Sequence, residues 1–278
     1  MPRSRPARAA LRKLRRSSLR WLRKARRRGL RWFRRAPLPA RFAVGAIVLV
    51  SLWAAANGVY QVVRKPTELF FPVSSALNKS PSETWRQYSP IFRAHATAVV
   101  TPELLAALAQ LEGSGNPVAR TYWRWQLSSN PFEIYRPASS AVGMYQIIDG
   151  TFVEAKRYCI HDQQVVEAGR WHDLRSCWFN GLYARVVPSH AVELTSAYLH
   201  RRVVTILERE RAGTATLRQK QDLAGVIHLC GAGAAAVYAR RGFQQAGGQR
   251  CGDHDVARYL ARLRALQRLF AQLALEQA

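Results

Sequence analysis

No acidic residue occurs before Glu68, although the 278-residue chain contains 17 aspartates and glutamates in all. Residues 1–41 contain fifteen arginines and two lysines, so this segment carries +17 of the formal net charge of +26. So dense a run of like charge cannot bury an apolar core, which excludes a compact fold before residue 37. We expect a largely disordered basic segment that binds acidic lipids. The same charge could bind a nucleic-acid backbone, but no specific nucleic acid is expected as a partner.

Charged residues of either sign are absent from residues 42–63, FAVGAIVLVSLWAAANGVYQVV. These 22 positions can cross a bilayer, since about 20 apolar residues are needed. The arginines before them predict a cytoplasmic N-terminus and place the rest of the chain across the membrane. One alternative is a secreted protein that follows a cleaved signal peptide, with Ala54-Ala55-Ala56 as the cleavage site. An arginine-rich mitochondrial presequence is another.

Strand-like alternation is scarce after residue 79, and no internal repeat is present. Residues 64–79 contain prolines, serines and an asparagine, which predicts a linker. Residues 80–278 are then one mainly α-helical domain behind a single N-terminal transmembrane helix.

Helix start and stop signals divide this domain into segments. Ser80 and Glu83 have the spacing of a capping box, Thr101 can cap the next helix, and Asp253 can cap the last one. Residues 118–137 are irregular and rich in aromatic residues, which either line a glycan groove or fill the core. Thr151 and Glu154 have the spacing of a second capping box, and residues 159–188 are predicted to be a loop-rich excursion. The predicted helices begin at 81, at 102, at 151, near 190, near 217, at 234 and after 253.

A single carboxylate, that of Glu112, stands between an apolar run and a turn. The leucines of residues 104–111 share one helical face, and Gly113 stops the helix. The negative end of a helix and apolar neighbours both disfavour an ionised carboxylate. A carboxylic acid that keeps its proton near neutral pH is what glycoside cleavage requires. The alternative is a glutamate that merely ends an exposed helix.

Three segments in order carry a family resemblance. They are Leu111–Pro117, Ala138–Phe152 and His228–Ala235. They resemble the motifs of lysozyme-like lytic transglycosylases, the soluble-lytic-transglycosylase (SLT) superfamily, over about residues 80 to 266. The second segment, with Gly143-Met144-Tyr145-Gln146, is the most specific of the three, and the third is weak.

The resemblance implies a lysozyme-like helical fold and a bacterial inner-membrane protein with its catalytic domain in the periplasm. It implies that Glu112 protonates the bond between N-acetylmuramic acid and N-acetylglucosamine in peptidoglycan. The same residue then removes a proton from the 6-hydroxyl, so that a 1,6-anhydro sugar forms without water. No cofactor or metal is expected. The residues expected to contact the glycan are Ser114, Gly143, Met144, Tyr145, Gln146 and His228.

The chain also departs from the family pattern. Gly113 stands where a serine is usual, unless Ser114 takes that role, and Asp149 stands where a proline is common. The usual third-motif tyrosine, which hydrogen-bonds the glutamate, has no counterpart, so His228 either fills this polar role or is a core histidine. Two other functions therefore stay open. One is a hydrolase in which Asp149 or Glu154 directs water, and the other is a non-catalytic cell-wall binding or assembly protein.

The chain has only four cysteines, an even count that suggests disulfides beyond a membrane. We predict the sequential pairing, Cys159–Cys177 and Cys230–Cys251, because each pair closes a loop next to a helix start or end. Two histidines near the first pair raise zinc as an alternative, but their spacings fit no common zinc finger.

Overall fold

A computed structural model describes residues 31, 33–70, 72–167, 169–170, 172–173 and 176–277. Most of the predicted basic segment, residues 1–30, lies outside the described residues. Two compact units are present along the chain, one ending at Tyr60 and one beginning at Gln61.

The predicted membrane segment lies in helix α1, Leu38–Arg64, in which an 18-residue stretch has a mean hydropathy of 1.9 and only 6% of its residues are buried. A second helix in the described residues is also long and apolar enough to cross a membrane, with a mean hydropathy of 1.4, but it is 56% buried within the domain. Such burial is typical of a core helix. The exposed apolar helix, together with two disulfides, indicates an extracytoplasmic protein that has either a membrane anchor or a signal sequence.

The remainder is mainly helical, as the sequence predicted. Its helices are α2 Pro81–Ala94, α3 Pro102–Gly113, α4 Asp149–Ala155, α5 Pro188–Arg209, α6 Leu217–Arg240 and α7 Val256–Glu276. Three antiparallel hairpins accompany them, formed by β1 Trp123–Trp125 with β2 Tyr135–Pro137, β3 Tyr158–His161 with β4 Gln164–Glu167, and β5 Arg250–Cys251 with β6 His254–Asp255.

Two of the predicted helix starts are confirmed at atomic detail. Ser80 and Glu83 form a complete capping box at the start of α2, and Thr101 accepts a hydrogen bond from the N–H of Leu104 at the start of α3. These side chains satisfy backbone donors that have no partner within the helix. The caps therefore fix where both helices begin.

Helix α3 lies at the centre of the domain, and it packs against α7 and α2. Its leucines 104, 105 and 108 are fully buried, and so are the three alanines of residues 106–109. The sequence predicted one apolar face, but the helix is enclosed on more than one side. Alanines on the remaining faces allow neighbouring helices to approach closely.

Other predicted boundaries are wrong. Helix α4 begins at Asp149 rather than at Thr151, without a side-chain cap, and Glu154 forms an ion pair with Arg202 instead of closing a capping box. Helix α7 is capped by Asp255, whose Oδ1 accepts from the N–H of Arg258 at 2.8 Å. Asp253 lies instead in the turn of the β5–β6 hairpin, and the predicted loop at 159–188 contains the β3–β4 hairpin.

The two helices predicted around the third motif are the two arms of α6, which meet at a kink at Gly231, where φ is 78°. This left-handed conformation is one that glycine adopts without steric cost. The kink turns the chain at the point where the third motif was predicted.

The stretch predicted as a linker forms two 3₁₀ turns, Pro66–Phe70 and Ser74–Leu77. Asn116 Nδ2 donates to the carbonyl of Ser74 at 2.6 Å, which ties the second turn to the chain beyond α3. Both predicted disulfides, Cys159–Cys177 and Cys230–Cys251, are present.

Candidate active-site groove

Glu112 occupies the last turn of α3, and its side chain is 18% exposed. The helix ends directly after it because Ser114 adopts the left-handed conformation, with φ 50°. Two cavities, of about 560 and 380 Å³, are both lined by Glu112. The carboxyl group is therefore accessible from both cavities, which are together termed the groove.

The larger cavity, termed the α6 cavity, is lined by residues 227–231 of α6, by residues of α5 and by the second-motif turn. Cys230 and Cys251 both line it, so their disulfide forms part of its wall. The volume is within the range of ligand-binding cavities.

The smaller cavity, termed the loop cavity, is formed by the chain beyond α3 and by the second 3₁₀ turn. Ser114, which the resemblance predicts to contact the glycan, lines it next to Glu112. Tyr122 also lines it and is 65% exposed, so this aromatic ring does not fill the core. An exposed ring of this kind offers a face on which a sugar can stack.

Tyr259 holds the Glu112 carboxyl group and was missed by the sequence analysis. Its hydroxyl donates to Glu112 Oε1 at 2.6 Å, although 147 residues separate the two. Burial raises the pKa of Tyr259 well above 10, and the Glu112 charge and hydrogen bond act in the same direction. The phenol therefore remains a hydrogen-bond donor throughout the neutral range.

His228, on helix α6, also lies beside Glu112, with its Nε2 at 3.8 Å from Glu112 Oε1. This separation is too long for a direct hydrogen bond, but His228 lines the α6 cavity together with Glu112. The sequence left two roles open for His228, and its position favours the polar role at the groove. Tyr259 therefore makes the hydrogen bond to Glu112, and His228 lines the α6 cavity beside it.

Most of the second-motif turn is buried in the core next to the groove. Met144 and Tyr145 are fully buried, so the prediction that their side chains contact the glycan does not fit their positions in the core. Gln146 lines the α6 cavity, but its Nε2 donates to the carbonyls of Ala119 and Gly143, which pins the turn. The amide oxygen Oε1 therefore remains as the atom that could accept a hydrogen bond from a ligand.

Two glycines permit close backbone contacts around this turn. A Cβ on Gly113 would lie 2.8 Å from the Cα of Met144, so the end of α3 abuts the second-motif turn without space for a side chain. A Cβ on Gly143 would lie 2.4 Å from the carbonyl oxygen of Arg185. The absence of a side chain at Gly143 therefore lets the backbone of this turn lie against the backbone at Arg185.

The other carboxylates considered as catalytic groups lie away from Glu112. Asp149 is paired with Arg185 at 2.8 Å, and Glu154 is paired with Arg202. Neither lines either cavity of the groove, and within the described part of the chain Glu112 is the one acidic residue that does.

Glu193 is a further buried carboxylate that the sequence analysis did not single out. One oxygen accepts from the N–H of Ile160 at 3.0 Å, and the other accepts from the hydroxyl of Tyr183 at 2.7 Å. It lines neither cavity of the groove, so its role is to join α5 to the β3 strand. Burial, followed by the hydrogen bond and charge of Glu193, raises the pKa of Tyr183.

The cysteines that raised the zinc alternative are joined in the Cys159–Cys177 disulfide, so their thiolates are not available as ligands. Within the described residues, no cluster of histidine, cysteine and acidic side chains could hold a metal ion. Comparison with known proteins finds no matching family model and no matching curated protein.

Proposed function

We propose that this chain is a membrane-anchored peptidoglycan lytic transglycosylase. The observation that carries the proposal is the environment of Glu112, a single carboxyl group that lines two cavities and is held by a buried tyrosine hydroxyl. A polymer that is cut internally must extend on both sides of the cleaved bond, and the two cavities offer space on both sides. The resemblance to the SLT superfamily supplies the substrate class.

One carboxyl group suffices for this reaction if the substrate supplies the second group. Glu112 donates its proton to the glycosidic oxygen while the bond from that oxygen to C1 of N-acetylmuramic acid breaks. The carbonyl oxygen of the substrate's own N-acetyl group bonds to C1 and stabilises the positive charge. Glu112, now a carboxylate, removes the proton of the 6-hydroxyl, and O6 displaces the acetamido oxygen from C1 to form the 1,6-anhydro ring.

The protein's own residues orient this proton transfer. Tyr259 fixes one oxygen of Glu112 and leaves the other to carry the transferred proton. His228 lines one cavity and Ser114 lines the other, so each is a candidate contact for a sugar next to the cleaved bond.

The proposed location is the bacterial inner membrane, with α1 as an uncleaved anchor and the groove in the periplasm. The position of the arginine-rich segment before an exposed apolar helix supports this orientation. Acidic lipids are the proposed partners of the basic N-terminus, and glycan strands are the partners of the groove. Removal of a signal peptide would instead release a soluble periplasmic enzyme.

The test is product analysis of purified peptidoglycan incubated with the protein and with the variant Glu112→Gln. We expect the protein to release muropeptides that end in 1,6-anhydro sugars, lighter by one water than hydrolysis products. Glu112→Gln keeps the shape of the side chain but cannot donate a proton, so the rate should fall by about 10²–10⁴-fold. Asp149→Asn serves as the control, because Asp149 does not line the groove.

Reducing-end products would replace this proposal with the hydrolase, and their loss in Asp149→Asn or Glu154→Gln would identify the water-directing residue. Glycan binding without release of any product would replace it with the non-catalytic binding protein. The positions of Asp149 and Glu154 outside the groove speak against the hydrolase.

A further inference from the structure

The segment that follows the apolar helix has an exposed face without charge. Residues 66–78 contain one charged residue, Glu68, whose side chain is 1% exposed. The apolar residues around it are turned outward, since Leu69, Phe70, Val73 and Leu77 are 67%, 42%, 51% and 40% exposed. A stretch of this kind is unexpected on the water-facing surface of so basic a protein.

Buried Glu68 joins this segment to the β1–β2 hairpin. Its carboxylate accepts a hydrogen bond from Trp123 Nε1 at 2.9 Å and lies within 3.4 Å of an Arg120 nitrogen and 3.3 Å of Lys65 Nζ. A carboxylate with three such partners holds the two elements in one fixed arrangement.

The hairpin is also tied to the end of the apolar helix. Gln61 Nε2 donates to the carbonyl of Phe132 at 2.6 Å, and Arg64 lies 3.7 Å from Glu133. Next to this connection the hairpin exposes two large apolar side chains, Trp125 at 68% and Leu127, which is fully exposed.

We propose that these two elements form a juxtamembrane surface, defined by Leu69, Phe70, Val73, Leu77, Trp125 and Leu127, that lies on the outer leaflet of the bilayer crossed by α1. The inference rests on the proposed membrane anchor and does not depend on the proposed reaction. Its partner is the lipid surface itself.

Chain length is the first argument for lipid as the partner. Helix α1 has 27 residues and is about 40 Å long, whereas the hydrocarbon core is about 30 Å thick, so Arg64 reaches the headgroup region. Leu69 follows five residues later and can be at most about 18 Å from Arg64. Residues this close to a membrane helix end remain near the bilayer surface.

The chemistry of the hairpin is the second argument. Trp125 is exposed on β1, and Leu127 follows it in the connection to β2. Tryptophan is enriched at the level of the lipid headgroups, and a neighbouring leucine can enter the apolar region next to them. Outward-facing tryptophan and leucine together match a bilayer interface.

The surface is continuous with the groove. Ser74 and Ser75, in the second 3₁₀ turn of the same segment, line the loop cavity next to Glu112. Contact of this segment with lipid therefore holds the groove beside the membrane, where the glycan strands it acts on are those nearest the bilayer.

The experiment uses the full chain in vesicles of phosphatidylethanolamine and phosphatidylglycerol. All four native cysteines are in disulfides, so Leu69→Cys and Leu127→Cys can each be labelled with an environment-sensitive nitrobenzoxadiazole dye. The matched control is Leu275→Cys, because Leu275 is 80% exposed on α7. Flotation with the vesicles checks the anchor separately, and thermal unfolding checks that each variant is folded.

We expect brominated acyl chains to quench the dye at positions 69 and 127 but not at 275. Iodide should quench the first two positions at least about threefold less than the third, since an ion is costly to place among apolar groups. Equal iodide quenching at all three positions would overturn the proposal. Shielding from iodide without quenching by brominated lipid would also overturn it, because the surface would then be covered by protein. Quenching at position 69 alone would show that the hairpin does not contact lipid and would overturn that part of the proposal.

Discussion

Replacement of Tyr259 by phenylalanine tests whether the hydroxyl group acts only by holding Glu112. The ring of Tyr259 is 6% exposed and lines neither cavity, so Tyr259→Phe should leave packing and glycan contacts unchanged. The change removes the 2.6 Å hydrogen bond to Glu112 Oε1 and leaves the carboxyl free to rotate.

The size of the effect follows from the strength of that bond. Glu112 becomes negatively charged as it gives up its proton, and a hydrogen bond to a charged group is worth about 1.5–3 kcal/mol. Each 1.4 kcal/mol corresponds to about a tenfold change in rate. We therefore expect kcat on purified peptidoglycan to fall by about 10–100-fold, with little change in KM. The loss should be smaller than that of Glu112→Gln, because the acid itself remains.

The assay is the initial rate of muropeptide release at several peptidoglycan concentrations, with thermal unfolding measured in parallel. Tyr238→Phe is the matched control, since Tyr238 is also a buried tyrosine on a core helix and lines neither cavity. An unchanged rate in Tyr259→Phe would refute the positioning role. A rise in KM with constant kcat would refute it as well, because the hydroxyl would then be a substrate contact.

Three further predictions concern the stability of the domain and the wall of the groove. Gly113→Ser introduces the residue usual at this position in the SLT superfamily. It places a Cβ 2.8 Å from Met144 Cα, so it should destabilise the domain by about 1–3 kcal/mol, whereas Gly150→Ala, at a site with open space, should not; denaturant unfolding compares the two. Loss of either disulfide through paired alanine substitutions should lower the free energy of unfolding by about 3 kcal/mol. Only loss of Cys230–Cys251, which lines the α6 cavity, should also slow muropeptide release at a temperature where both variants stay folded. Equal slowing in the two variants would contradict this. Burial lowers the pKa of His200 below its ordinary 6.5, with Arg201 and Lys220 acting in the same direction. Its contribution to stability is therefore present above pH 6.5 and is lost as the pH falls through the folded-state pKa. His200→Asn should flatten the fall in melting temperature as the pH is lowered from 6.5, and an unchanged slope would exclude His200 as the cause.

The sequence by itself determined the features that depend on neighbours close along the chain. The capping box of Ser80 and Glu83 and the cap of Thr101 involve residues three positions apart, so local preference is enough to predict them. The disulfide pairings close loops of 18 and 21 residues, short enough for sequence proximity to indicate the correct partners. The apolar helix was equally clear, because an uninterrupted run without charge has few other structures open to it.

Competing local signals were decided by tertiary contacts. Asp253 and Asp255 are both good caps, and the short β5–β6 hairpin, joined to α6 by Cys230–Cys251, places the helix start after Asp255. Glu154 prefers a long-range ion pair with Arg202 to the local capping box that its spacing predicted. In both cases the local energies differ by little, so packing selects the outcome.

The environment of Glu112 was decided only by tertiary structure. Local pattern located Glu112 itself, because a helix, its stop signal and the motif that carries the resemblance all lie within a few residues. The hydroxyl that holds it comes from Tyr259, 147 residues away, on a helix whose apolar periodicity made this tyrosine look like any other core residue. A periodic pattern reports which face of a helix is buried, but it does not report which buried polar atom meets which. That pairing is set by how α3 and α7 pack against each other, and a hydrogen bond of 2.6 Å depends on their mutual orientation at a scale that sequence pattern does not encode.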